Sequence, residues 1–330
     1  MADPTLYVLD VGHGNSAVLV DDAVIVIDAG PGATLLEFLK KEEIKNIAVV
    51  LISHADEDHI KGLISLIESK VVTIDAIHIN SDALKGSATW ADLAFLLDEE
   101  DSAGHLRFEV GLTTNHSDKF NTASIVVEIL APSPGLAVKG PGSKDHEGRK
   151  LTSNAMSAVV RLLREGTPLV LLPGDLDETG LDNLLSSGRD LHAMVAIFPH
   201  HGGGAANTEM DKFAARFCDA VAPRILIFSI GRGKYDTPRP DIIAAARTHS
   251  PEVRVVCTQL SEHCAAELPK TDPTHLVSKI SRGRELRKCC VGTLVLDLGK
   301  GNSVLLPTAE AHLQFISGSA PSALCTKPVS

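Results

Sequence analysis

Aromatic side chains are scarce in this chain, with one Trp (Trp90), two Tyr and nine Phe in 330 residues. Surfaces that grip single strands by base stacking need such rings, so the shortage argues against a stacking platform. Positive charge is also short: 31 Lys and Arg face 42 Asp and Glu, a formal net charge of −11. Such a surface repels nucleic acid and anionic membranes as a whole, and a polyanion has to be met at a local basic or metal-bearing site. Apolar runs such as Ile47 to Ile52 and Leu169 to Leu172 reach only a strand's length, far short of a membrane helix. The six cysteines are few for this length, and no basic stretch leads into an apolar signal core. The expectation is a cytoplasmic protein that does not associate with membranes. No GxSxG elbow, no GxxxxGK phosphate loop and no supported Cys-His pair is present, which disfavours covalent catalysis.

What the chain does have is a series of short β-branched runs. They cover Leu6 to Val11, Ala17 to Val20, Val24 to Ile27, Ile47 to Ile52, Ile74 to Ile79, Ile125 to Leu130 and Leu169 to Leu172. Later ones cover Val195 to Phe198, Ile225 to Phe228, Val253 to Val256, Thr293 to Leu298 and Ser303 to Leu306. Helical periodicity appears around Leu35 to Leu39, Leu63 to Ile67 and Leu93 to Leu97, and helices are predicted after Asp177, Asn207 and Pro240. A strand-only opening followed by alternating strands and helices predicts an α/β protein of two sheets covered by helices. No solenoid period or compositional break is found, so residues 1–316 are expected to form a single domain. Residues 133–150 read as a long loop and residues 317–330 as a flexible tail.

The densest polar signal is Ser53-His54-Ala55-Asp56-Glu57-Asp58-His59, directly after an apolar strand and before a helix opening near Ile60. A strand ending in two imidazoles and several carboxylates can aim four donor atoms into one small volume. That cluster is electrostatically expensive without a cation. An acidic helix N-terminus favoured by the dipole is the plain alternative, and it leaves the two histidines in register with the carboxylates unexplained.

HxDxDH after a strand resembles the metal-binding signature of the metallo-β-lactamase-fold hydrolases. Leu9-Asp10-Val11-Gly12-His13-Gly14-Asn15-Ser16, Ile27-Asp28-Ala29-Gly30, Pro173-Gly174-Asp175 and Pro199-His200-His201-Gly202 follow in that family's order over roughly the first 230 residues. Within the family the pattern is most similar to the hydrolase domain of the ComEC type, attached to bacterial DNA-uptake channels. The resemblance implies an αββα sandwich of two mixed β-sheets flanked by helices. It also implies two divalent metal ions, Zn²⁺ or Mn²⁺ with Mg²⁺ as a further option, and hydrolysis by water activated between them. By the same resemblance His54 and Asp56 bind the first metal, and Asp58 and His59 serve the second. Asp58 orients the water, Asp175 bridges the ions and His200 completes the second site. His201 is the alternative to His200, ranked lower because adjacent residues leaving a strand point to opposite sides. Asp28 is expected to prop the loop bearing His54, with a turn-capping aspartate as the alternative.

Two departures from the family pattern stand out. Asn154, in Ser153-Asn154-Ala155-Met156-Ser157, takes the place of a third-motif histidine on the first metal and is a poorer ligand than imidazole. The first site is therefore expected to be weak, with His116 or His146 as substitutes. In Gly231 to Pro240, Thr237 stands where a substrate-facing histidine is usual, and Arg232, Lys234, Tyr235 and Arg239 become candidate substrate residues together with His13 and Asn15. An ordinary solvated basic loop is an equal reading of that segment. Cys257, His263, Cys264, Cys289 and Cys290 offer a possible structural zinc set, against simple buried thiols as the majority reading. The function expected is a metal-dependent phosphodiesterase or nuclease acting on DNA. The rivals are a hydrolase of a small phosphodiester, cyclic nucleotide, ester or lactone, and a regulatory protein that keeps the fold without turnover.

Overall fold

The alternation of side chains along the opening strands decides which of two cores each residue enters. The computed structural model describes residues 3–204, 209–270, 272–299, 304–320 and 322–326; Ser303 and Asn207, named above, and much of the expected tail lie outside them. Strands β1 (Thr5–Val8), β2 (Ala17–Val20) and β3 (Val24–Ile27) form an antiparallel meander. The chain then alternates through α1 (Thr34–Lys41), β4 (Asn46–Ile47), β5 (Val49–Ile52), α2 (Glu57–Ser69), β6 (Thr73–Ile74), β7 (Ala76–Ile79), α3 (Ala88–Ser102) and β8 (Arg107–Val110). β3, β5, β7 and β8 pair in parallel, while β4 and β6 make a separate two-stranded ribbon.

The second half follows the same plan. β9 (Val126–Ala131), α4 (Pro134–Lys139), β10 (Val159–Arg164) and β11 (Thr167–Leu172) give an antiparallel trio of strands. After them come α5 (Glu178–Ser186), β12 (Val195–Ile197), α6 (Met210–Val221), β13 (Ile225–Phe228), α7 (Pro240–His249) and β14 (Arg254–Cys257), whose strands join β11 in parallel. β15 (Leu294–Asp297) and β16 (Val304–Leu306) return to the first sheet beside β1, and α8 (Ala309–Ser319) follows. The first sheet has the order β16-β15-β1-β2-β3-β5-β7-β8 and the second β14-β13-β12-β11-β10-β9.

Ile25, Ile27, Val49 and Leu51 on one face of the first sheet share a core with Ile129, Val160 and Val170 of the second. Their sequence neighbours Val26, Val50 and Ile52 turn the other way and pack on Leu35, Phe38, Leu63, Leu66 and Leu97 of α1 to α3. Phe213, Phe217 and Ile242 of α6 and α7 cover the second sheet. The result is a sandwich of two mixed sheets between helices, the αββα arrangement. No helix among the described residues is long and apolar enough to cross a membrane.

Three expectations need correction. β8 and β10 carry no clean apolar run in sequence: β8 is a largely exposed edge, and β10 is interrupted by Arg161, which is satisfied at 2.7 Å by Glu128 on β9. The expected loop at 133–150 contains α4, started by Ser133 accepting from Leu136 N. The expected tail is in part packed structure, since α8 runs to Ser319, and Ala320, Ala323 and Leu324 are buried against the inter-sheet core.

The segment leading into β15 is tied to the first strand's exit by Asp10. This wholly buried carboxylate accepts from Gly12 N (3.1 Å) and Gln259 Nε2 (2.8 Å) on Oδ1, and from Gly283 N (2.9 Å) and the Cys289 thiol (3.3 Å) on Oδ2. Removing the acceptor strands several buried donors, each costing about 1–3 kcal/mol. Asp10→Ala is therefore expected to lower stability in urea unfolding by at least about 2 kcal/mol; an unchanged midpoint would show that the hub is dispensable.

Candidate metal centre

The site forms where strands of both sheets end. Ser53 to Asp56 leave β5, and α2 begins at once, so Asp58 and His59 lie in its first turn. Gly174-Asp175 leaves β11, Pro199 to Gly202 leaves β12 as a tight turn, and the loop after β1 brings in His13. Close approach decides the residue type at Gly174: at φ +56°, a Cβ there would stand 2.3 Å from Ser157 Oγ and 2.7 Å from Ser53. Gly62 likewise lets α2 lie on the Ala29-Gly30 backbone, where a Cβ would meet Gly30 O at 2.3 Å.

Ligand atoms of Asp58, His59, Asp175 and His201 all lie within 4.8 Å of one another. His59 Nε2 is 3.3 Å and His201 Nε2 3.7 Å from Asp175 Oδ1, and His201 Nε2 is 3.2 Å from Asp58 Oδ2. Each imidazole is held from behind. His59 Nδ1 bonds Asp28 Oδ2 at 2.8 Å, and His201 Nδ1 donates to the Ser229 carbonyl at 2.7 Å, which turns both Nε2 atoms to the shared point. Asp28 also takes Ser53 N at 2.7 Å and Ser53 Oγ at 2.9 Å, so it props the loop bearing His54 as well as the ring of His59.

Burial by itself disfavours charge on all of these groups. Against it, Asp28 and Asp175 hold His59 well above the usual histidine value, and Asp175 and Asp58 raise His201. Asp175, whose burial opposes ionisation, is nevertheless held well below the carboxylate range by His201 and His59. The imidazoles are thus set to balance the carboxylates, a task a divalent ion bound there would take over by displacing their protons. Burial and the neighbouring His59 push His54 down to about 4, so it is neutral, and its buried Nε2 has no hydrogen-bond partner. The Asn154 Oδ1 is another buried acceptor without a partner. Neutral imidazole and amide acceptors beside carboxylates suit a cation, and the residues fit a divalent metal.

A family model of the metallo-beta-lactamase superfamily matches residues 9–215, a span that contains every one of these side chains. The chain belongs to the metallo-β-lactamase superfamily. It is thereby a member of a superfamily of metal-dependent hydrolases. Among solved structures it is similar to the metallo-β-lactamase-fold protein YhfI from Bacillus subtilis, with 12% identity, TM-score 0.49, and coverage of 77% of this chain and 97% of that one. A metallo hydrolase from the archaeon Ignicoccus hospitalis is also similar, with 14% identity, TM-score 0.42 and coverage of 78% and 97%. So is the short form of human tRNase Z, with 15% identity, TM-score 0.40 and coverage of 67% and 91%. No curated protein sequence matches the chain.

The structure orders the two adjacent histidines differently from the superfamily motif as read above: His201 enters the four-residue cluster and His200 stays at its margin, with Nδ1 3.6 Å from Asp175 Oδ2. The alternation argument fails because neither residue is extended. His200 and His201 have φ of 52° and 56°, left-handed conformations that swing the second ring inward. On the other side of the cluster, His54 Nε2 is 3.7 Å from Asp56 Oδ1, and Asp56 forms an ion pair with Lys85, a residue the motif reading did not single out. Neither His116 nor His146 lines the cavity; His116 stands beside His78 instead.

The cavity above the cluster measures about 620 Å³ and is walled by His13, Asn154, Met210, Tyr235, Thr237 and Arg239 among others. His13 packs between His201 and Tyr235 with its ring tilted to both, and burial with His201 nearby takes it down to about 3. Other expected substrate residues are committed elsewhere. Arg232 donates to the carbonyls of Leu260, Ala265 and Ala266, Lys234 lies over the Tyr235 ring outside the cavity wall, and Asn15, whose backbone carbonyl accepts from Gly30 N, does not line the cavity. The cysteine zinc set is not assembled either: Cys289 bonds Asp10, Cys290 bonds His312 at 3.1 Å, and His263 turns to Asp236. Among the described residues no convergent group of ligands includes a cysteine.

Because the carboxylates raise the proton affinity of His59 and His201, Zn²⁺ added to metal-free protein near neutral pH is expected to release protons, with apparent affinity rising as pH rises. Calorimetry in buffers of different ionisation enthalpy reads this directly; a heat independent of buffer would show the two rings already neutral.

Proposed function

We propose that this protein is a metal-dependent phosphodiesterase with DNA as its substrate. The convergence of Asp58, His59, Asp175 and His201 beneath an open cavity carries the reading. A divalent ion held there supplies Lewis acidity toward water and toward a phosphoryl oxygen. Asp58 keeps 24% of its side chain exposed against 9% for Asp175, so it is the carboxylate placed to orient a water in the cavity. Arg239 sits at the wall with its charge shared with Asp241 at 3.0 Å, and the nearly buried His13 and the exposed Tyr235 line the same cavity. DNA as substrate rests on the motif likeness to the ComEC type, including Asn154 in place of histidine.

The metal set we propose is asymmetric: one ion held firmly by Asp58, His59, Asp175 and His201, and a second held weakly beside His54, Asp56 and Asn154, where Lys85 already neutralises Asp56. Zn²⁺ or Mn²⁺ fits these donors, and Mg²⁺ less so. A small phosphodiester is the second reading, favoured by the −11 net charge and by a cavity of a size that encloses a small ligand. Loss of binding that steepens with added salt supports DNA, and salt-insensitive turnover of a bis-aryl phosphodiester with no cleavage of linear or circular DNA supports the small substrate.

Asp58→Ala is expected to lower turnover by about 10²-fold or more while circular dichroism stays unchanged; full activity in that variant would remove the assigned role. Lys85→Met and Asn154→His are each expected to tighten the second ion, read as slower metal loss to a chelator. Unchanged or faster loss would place neither residue at that ion.

A further inference from the structure

A second group of ligand-bearing side chains stands apart from the centre above, on the edge of the first sheet. His78 on β7 and Glu109 on β8 are cross-strand partners in the parallel register, so their side chains share one face. His116, ending the short turn Thr114–His116 that covers this face, brings a second imidazole to the same point. Ligand atoms of the three residues lie within 4.8 Å of one another, with His78 Nδ1 3.8 Å from Glu109 Oε2. His78 is buried, only 4% exposed, and its Nδ1 has no hydrogen-bond partner. An orphaned imidazole nitrogen in such a place is costly unless something binds it.

The two rings are held in position by Phe120, which meets His78 edge-on at 4.8 Å and stacks on His116 with an interplanar angle of 3°. A cavity of about 340 Å³ opens over the three donors, and none of its lining residues lines the cavity of the metal centre. Arg107 and Lys119 are at its border, but the carboxylate of Glu109 faces the two imidazoles and opposes an anion there. Two imidazoles and one carboxylate are a donor set suited to a divalent transition metal, with a coordination position left toward the cavity.

We infer that His78, Glu109 and His116 form a second, independent binding site for a divalent transition-metal ion of the Zn²⁺ type. Nothing in the phosphodiesterase reading requires it. The test uses full-length protein and Zn²⁺ alone. Wild type and a Glu109→Gln/His116→Phe double variant, which spares buried His78 and keeps a ring against Phe120, are dialysed against the same free Zn²⁺ and metal per chain is counted. Co²⁺ absorption spectra of both give a second reading. The expected result is one metal equivalent fewer in the double variant and loss of one Co²⁺ band component, with the far-UV circular dichroism of the metal-free protein unchanged. Equal stoichiometry and identical Co²⁺ spectra would overturn the site, leaving His78 and Glu109 as an ordinary ion pair. The count is diagnostic whether or not the main centre binds metal, because only the difference between the two proteins is read.

Discussion

Two carboxylates brought out of water to within bonding distance of each other's partners set the terms for the rest of this molecule. Asp58 lies in the first turn of α2 and Asp175 at the exit of β11, and burial makes ionisation of both, Asp175 above all, dependent on nearby positive charge. His59 and His201 face these carboxylates, so four side chains from both sheets form one electrostatic unit. The inter-sheet core then acts as the frame that fixes their spacing: the strands that end at the site, β5, β11 and β12, are buried along their whole exit halves. Precision at the centre comes from placing it on rigid strand ends, and from Asp28 and Ser229 O fixing each imidazole from behind.

The same demand accounts for three of the backbone's departures from ordinary conformations. Asp28, His200 and His201 all have positive φ without being glycine, and each supplies or supports a group at the centre. Such conformations cost of order 1–3 kcal/mol each and persist where surrounding contacts overdetermine them. Glycine appears where even that is insufficient, as at Gly174, whose missing Cβ lets Ser157 and Ser53 close over the exit of β11.

The amphipathic alternation of β3 and β5 made the two-sheet architecture legible in sequence, because each residue's parity assigns it to one of two cores. Local motifs were legible for the same reason: His54, Asp56, Asp58 and His59 are close in sequence, and a strand exit followed by a helix leaves little freedom in how they present themselves. What stayed hidden depends on tertiary context. An edge strand such as β8 has no buried face to pattern it, and Arg161 disguises β10 by pairing across to Glu128. Arg232 reads as a free cation in sequence but spends its donors on carbonyls of the 260–266 segment. The order of His200 and His201 rests on a left-handed turn that no residue type announces, and Lys85 reaches Asp56 from a loop 29 positions away.

The two halves of the centre differ in how their charge is closed, and that difference bears on what the centre can do. Around Asp175 the balancing groups are the imidazoles of His59 and His201, whose proton affinity the carboxylates raise and which would give way to a metal by losing a proton. Around Asp56 the balancing group is the ammonium of Lys85, which can leave only by moving its side chain, and the remaining donors, His54 Nε2 and Asn154 Oδ1, are neutral. A neutral ligand pair with a carboxylate already paired offers a cation less electrostatic attraction than two free carboxylates with two imidazoles. In the proposed two-ion arrangement the stronger ligand set would lie on the side shared by α2, β11 and β12, and a weaker, displaceable one on the side of β5. Under that proposal, occupancy of the weaker side would depend on whether substrate or solvent draws Lys85 from Asp56, which would make the loop after β7 part of the centre's chemistry.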